Sequence, residues 1–146
     1  MKELIVKKSF EIDAPASKVW EILTNPTYTK QYMFGCELLS DWKIGSPVIW
    51  KSFLDGKVYV KGNLLKIESN KFLQFTVFDP NMGVEDIPSN YATVTYDLSS
   101  EGNGTKLSIS QGDFAGIAEG EKRYNEANFG WDMIFIKMKE LAEQKK

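Results

Sequence analysis

The sequence predicts an α+β fold in which a seven-stranded, curved antiparallel sheet wraps around one long C-terminal helix. Three observations carry that reading. After one N-terminal strand and two short helices, residues 36 to 114 read almost continuously as strand, broken by short turn-forming segments. Strands joined by such short turns run antiparallel. The stretch "NEANFGWDMIFIKMKEL", 125 to 141, is the one element large enough to cover a sheet face.

The first strand is expected from Glu3 to Ile12, with a bulge near Lys8 to reconcile its apolar pattern. In "DAPASKVWEILTNP", Asp13 sits where a helix cap would sit and Pro15 suits a first turn. Ala16, Val19, Ile22 and Leu23 then recur at helical spacing until Asn25-Pro26 stops the helix. A second short helix follows in "TYTKQYM", and Gly35 marks a turn. Further strands are expected at Cys36 to Asp41, Pro47 to Leu54, Lys57 to Glu68, Phe72 to Asp79, Asn90 to Ser99 and Thr105 to Phe114. "LDGK" reads as a two-residue Asp-Gly hairpin, and "ESNK" and "SEGNG" as further turns. Residues 80 to 89 form the longest connection, a candidate lid.

The last helix is expected from about Ala118, slightly weakened by Gly120 and Gly130, at about 1 kcal/mol each relative to alanine. It carries two apolar faces. Ala127, Trp131, Ile134, Phe135, Met138 and Leu141 fall on one side and should cover the sheet. Phe129, Met133 and Ile136 fall nearly opposite. Three covers are conceivable for that second stripe. The early helices could supply one through Trp20, Ile22 or Tyr28, and the 80–89 loop another through Met82, Val84 and Ile87. The third is another chain, a protein partner or a second copy. Cover from within the chain is the favoured expectation.

Length and composition narrow the function classes. At 146 residues the chain is expected to form a single domain, 1–146, with a sizeable core. Its 42% hydrophobic and 26% charged residues fit a globular protein, not a disordered one. The net charge of -2 has no basic block, which argues against nucleic acid. No apolar run reaches membrane-span length, and "MKELIVKKSFEI" lacks a signal peptide's features, so a cytoplasmic location is expected. There is no histidine, which removes Ser-His-Asp and Cys-His chemistry and Cys/His zinc sites within the chain. The single cysteine, Cys36, reads as a small buried side chain. No metal or cofactor is expected.

Strand parity selects the concave face. Val48, Trp50 and Ser52 share it, as do Val58, Val60, Gly62 and Leu64. So do Leu73, Phe75 and Val77, then Val94, Tyr96 and Leu98, then Leu107, Ile109 and Gln111. A helix cannot touch a strongly curved sheet everywhere, so the gap holds either bulky aromatics or a ligand. Trp50, Val60, Phe75, Val77, Tyr96, Gln111, Trp131 and Phe135 are therefore the candidate cavity lining. The polar members Ser52, Tyr96 and Gln111 need partners if buried. Acid–base chemistry finds little here. Lys66 is the one charged residue expected on the concave face, Glu85 and Asp86 could reach a cavity mouth, and Asp113 is the one acid worth testing. No catalytic residue is assigned.

The first strand with "DAPASKVWEILTNP", then "KIGSPVIW", "NLLKIESNKFLQFTV", "ATVTYDL", "GTKLSISQGDF" and "FGWDMIFIKMKEL", resembles the Activator of Hsp90 ATPase homologue-like family. That family belongs to the helix-grip superfamily of START-like, Bet v 1-like and polyketide-cyclase-like proteins. The resemblance spans essentially the whole chain. It implies a seven-stranded sheet gripping the C-terminal helix with an apolar cavity between them. Proteins of this fold bind lipids, hormones or polyketides, a few are enzymes, and the eukaryotic namesake stimulates a chaperone ATPase. Three functions follow as expectations. The first is a non-enzymatic binding module for a small hydrophobic or amphipathic ligand. The second is a protein-interaction module of the Hsp90-activator type, or a homodimer, through Phe129, Met133 and Ile136. The third is a cyclase-like enzyme.

Overall fold

The computed structural model describes residues 3–144. Among them are seven strands: β1 (Val6–Ile12), β2 (Cys36–Ser40), β3 (Pro47–Ser52), β4 (Val58–Glu68), β5 (Phe72–Val77), β6 (Ala92–Glu101) and β7 (Gly104–Gly112). The helices are α1 (Ala16–Thr24), α2 (Pro26–Tyr32) and α3 (Gly120–Glu143), with a 3₁₀ turn at Pro88–Asn90. The strands form one antiparallel sheet in the order β1-β7-β6-β5-β4-β3-β2. The α1–α2 pair connects the two edges, and α3 lies across the concave face. This is the helix-grip α+β architecture.

The core is where strand parity puts it. Val48, Trp50, Leu64, Leu73, Phe75, Val94, Tyr96, Leu107 and Ile109 are buried under Trp131, Ile134, Phe135, Met138 and Leu141 of α3. Val19, Ile22 and Leu23 of α1 complete it. Tyr32 of α2 sends its hydroxyl back to the Ile22 carbonyl at 3.0 Å, which locks the two short helices together.

Five expectations are corrected. β1 pairs with β7 in unbroken register from Val6↔Gln111 to Ile12↔Thr105, without a bulge at Lys8. Val6, Lys8, Phe10 and Ile12 share one parity; Lys8 takes an inward slot with its stem and pairs its ammonium with Asp132 on α3 at 2.6 Å. Asp13 caps nothing: α1 begins after Pro15, and the Asp13 N–H instead donates to Glu143. The Asp55-Gly56 pair does not make a two-residue hairpin. The Ser52 N–H donates to the Lys57 carbonyl, and the Gly56 N–H to the Ser52 carbonyl, so the loop is longer. The tight two-residue turn is Gly102-Asn103, where Glu101 pairs with Gly104. Lys66 does not face the cavity. The β4–β5 register shifts between Leu64 and Lys66, which flips the parity, exposes Lys66 and turns Ile67 onto Leu73.

The fifth correction concerns α3. Its second stripe is not covered from within the chain: Phe129 is 69%, Met133 52% and Ile136 72% exposed. Trp20 and Tyr28 pack on the core instead, and Met82 turns toward the sheet–helix gap.

Candidate functional site

A cavity of about 650 Å³ lies between α3 and the concave face. That is mid-range for a small-molecule site. Its strand walls include Trp50, Val60, Phe75, Val77, Tyr96 and Gln111, and Trp131 lines it from α3. Phe135 is the exception among the expected lining residues. One turn further along α3, it packs edge-on against Phe10 and leans on Trp131, outside the cavity.

Gly130 of α3 faces the cavity. A Cβ built there meets no atom within 4 Å, so the missing side chain is itself part of the open space. At Gly62 the backbones of β4 and β5 come unusually close. A Cβ on Gly62 would lie 1.7 Å from the Thr76 carbonyl oxygen. Only glycine permits that approach.

The polar groups of the cavity are satisfied unequally. The Trp131 indole N–H donates to the Gln111 side-chain oxygen at 2.7 Å, tying α3 to β7. The Ser52 hydroxyl oxygen accepts from the Leu54 N–H at 3.1 Å. The Tyr96 hydroxyl is buried and finds no hydrogen-bond partner among the described residues. An unpaired buried hydroxyl costs roughly 1–3 kcal/mol in desolvation. Burial also pushes the Tyr96 phenol well above its ordinary value, so the group remains a donor at all working pH values. Its ring meets the edge of Trp131 and leans on Phe75, each centroid 6.0 Å away. Cys36 also lines the cavity; burial, and secondarily Asp55, raises its thiol, so the thiolate needed for nucleophilic work is scarce.

The mouth is built from loops. Met33 and Phe34 after α2, Leu54 and Asp55 after β3, and Phe78, Asp79 and Met82 after β5 surround it. Phe34 and Leu54 are 72% and 74% exposed. Asp55, Asp79, Arg123 and Glu126 bring charge to this rim, none of it readable from the concave strands. Arg123 Nη1 donates to the Asn90 carbonyl at 2.7 Å. Asn90 in turn accepts from the Ala118 N–H at 3.1 Å and donates to the Glu85 carbonyl at 2.7 Å. This staple fixes the start of α3 to the end of the 80–89 loop.

The acids singled out from sequence serve structure. Asp86 pairs with Lys61 and accepts from the Tyr91 hydroxyl at 2.6 Å, away from the cavity lining. Glu85 contributes its backbone carbonyl to Asn90. Asp113 Oδ1 accepts from the Leu4 and Ala115 N–H groups, both at 2.9 Å, and those bonds hold its carboxyl below the ordinary range. Among the described residues no cluster of three His, Cys, Asp or Glu side chains could hold a metal ion.

The cavity, its geometry and its lining can be set beside known proteins. The family model described as Activator of Hsp90 ATPase homolog 1-like protein matches residues 13–143. A Cytophaga hutchinsonii protein solved in solution shares 35% identity over 98% of this chain and 97% of its own, with a TM-score of 0.78. The Aha1 dimer of Colwellia psychrerythraea is similar at 15% identity, over 95% of this chain and 96% of its own, with a TM-score of 0.73. An HSP90 activator of Plasmodium falciparum is similar at 17% identity, over 90% of each chain, with a TM-score of 0.70. At these lower identities the likeness is one of fold. No curated protein matches the sequence.

Proposed function

The chain belongs to the Activator of Hsp90 ATPase homolog 1-like family, and from that premise we propose that it binds a small apolar or amphipathic molecule under α3 without transforming it. The observation that carries this reading is a cavity of about 650 Å³ with an aromatic wall and one buried, unpaired hydroxyl, that of Tyr96. Trp50, Phe75 and Trp131 supply rigid contact area, and Tyr96 supplies a donor for an oxygen acceptor on the ligand. Val60, Val77 and Gln111 complete the contact surface in this proposal. The chemistry for turnover is thin. The cavity's carboxylates, Asp55, Asp79 and Glu126, lie at its rim, Asp55 and Glu126 exposed and Asp79 half-buried, and burial raises its one thiol.

Native mass spectrometry before and after organic extraction tests the reading, together with titration of the neutral fluorophore N-phenyl-1-naphthylamine. A co-purifying small molecule, or saturable fluorophore binding abolished by Gly130→Trp in a folded variant, is the expected result. No adduct and no saturable binding would sink it.

A second reading is favoured by a separate observation, the exposure of Phe129, Met133 and Ile136 on the outer face of α3. Three large apolar side chains in one stripe support a protein-interaction face. The names of two similar structures, a dimer and an HSP90 activator, point the same way.

A further inference from the structure

We infer that the molecule held under α3 meets the sheet with a carbonyl oxygen, that of a ketone, quinone or ester, and that Tyr96 selects it over the corresponding alcohol. The inference rests on the reading of the cavity as a binding site and names the chemistry of its ligand.

Donors outnumber free acceptors on the cavity wall. Tyr96 is fully buried, and its hydroxyl has no partner among the described residues. The other buried phenol, Tyr32, donates its proton to the Ile22 carbonyl. The Tyr96 ring is held against Trp131 and Phe75, each centroid 6.0 Å away, so it is not free to swing toward a protein acceptor. Gln111 is its diagonal neighbour across β6 and β7, since Val94 pairs with Gln111 and Tyr96 with Ile109. The Trp131 indole N–H can only donate, so the Gln111 amide presents its oxygen there and turns its NH2 group elsewhere. Among the described residues that NH2 group donates to nothing, and neither does the indole N–H of Trp50, which also lines the cavity. Interior acceptors are fewer and already engaged. The Gln111 oxygen holds Trp131 at 2.7 Å, and the Ser52 oxygen accepts from the Leu54 N–H at 3.1 Å. The carboxylates of Asp55, Asp79 and Glu126 lie at the rim.

That imbalance discriminates between ligands. A carbonyl brings lone pairs and no hydrogen, so one lone pair answers Tyr96 and the other remains for the Gln111 NH2 group. An alcohol brings one more hydrogen along with its oxygen. Whichever way its hydroxyl turns, one donor is left without an acceptor, a cost present only in the bound state. An amine has the same defect. A carboxylate has the lone pairs but brings a full charge into an interior with no cation beside Tyr96, whose phenol is shifted by burial alone.

Two fluorescent probes that differ at one carbon test this on the full chain: 6-propionyl-2-dimethylaminonaphthalene and the alcohol formed by reducing its ketone. Each is titrated directly, beside N-phenyl-1-naphthylamine, which has no carbonyl and reports binding under α3 by itself. The wild type should hold the ketone at least about fivefold more tightly than the alcohol. Tyr96→Phe should bring the two affinities to within about twofold, mainly by weakening the ketone. The infrared carbonyl stretch of the bound ketone should lie at lower wavenumber in the wild type than in Tyr96→Phe, a signature that a purely structural tyrosine would not give. A ketone held no more tightly than the alcohol, or left unbound while N-phenyl-1-naphthylamine binds, overturns the carbonyl preference and leaves the binding reading standing. A preference and a carbonyl stretch both unmoved by Tyr96→Phe overturn the assignment to Tyr96. If none of the three molecules binds saturably, the inference and the binding reading fall together.

Discussion

At Tyr96 stability and binding pull in different directions. Its hydroxyl is buried without a partner, so Tyr96→Phe removes a desolvated donor while keeping the ring contacts with Phe75 and Trp131. The variant should melt no lower than wild type by calorimetry, and should rise by up to about 1 kcal/mol. If the hydroxyl serves a ligand oxygen, the co-purifying molecule should be lost or depleted in the same variant. A sharp drop in melting temperature would instead mean that the hydroxyl has a structural partner. Cys36 gives a second reading of the same interior. Its thiol is buried and raised from 9.0, so iodoacetamide at about pH 8 should alkylate it at least tenfold more slowly than an exposed cysteine. A bound ligand should slow it further. The sequence marked Tyr96 and Gln111 as polar residues on a face meant to be buried. It did not show that Trp131 would satisfy Gln111 and leave Tyr96 alone, because that depends on the rotation and depth of α3.

Two glycines stand out at the scale of elements. Gly130→Ala should stabilise the helix by about 1 kcal/mol, since its Cβ meets nothing within 4 Å. Gly130→Trp should keep the fold and fill the cavity, which circular dichroism and fluorophore titration together would show. Gly62→Ala should destabilise by more than about 3 kcal/mol, because its Cβ would overlap the Thr76 carbonyl at 1.7 Å and no side-chain movement relieves it. Equilibrium urea unfolding measures both effects. The strands and helices themselves were largely legible, since each has a clear period of two or 3.6. What parity could not reveal was where the period is interrupted. The shift between Leu64 and Lys66 turns Lys66 outward, and the longer loop after Ser52 replaces an expected tight hairpin. Both arise from pairing between strands, not from any strand's own pattern.

Across the whole molecule, carboxylates tie together segments that lie far apart in the chain. Asp113 holds Leu4 to the end of β7, and Glu143 holds Asp13 and Lys139 to the end of α3. Backbone N–H donors, from Ala115 and Leu4 for Asp113 and from Asp13 for Glu143, keep both carboxyls below their ordinary 3.8 and 4.5. A lowered folded value adds stability that is fully present above the ordinary value and is lost as pH falls through the folded one. The melting temperature should therefore fall below about pH 4, and Asp113→Asn should show a shallower fall there than wild type. An identical acid profile for the two would remove Asp113 from that role. By itself the sequence determined the fold class, the antiparallel pairing of neighbouring strands and the buried face of α3. Alternation and helical spacing are local, and burial of one face is enough to write them into the chain. The tertiary structure alone decided that the mouth carries Asp55, Asp79, Arg123 and Glu126, that Phe135 turns to Phe10, and that Phe129, Met133 and Ile136 stay in solvent. Those outcomes depend on where loops from distant parts of the chain converge and on what the early helices cover, distances that no local period encodes.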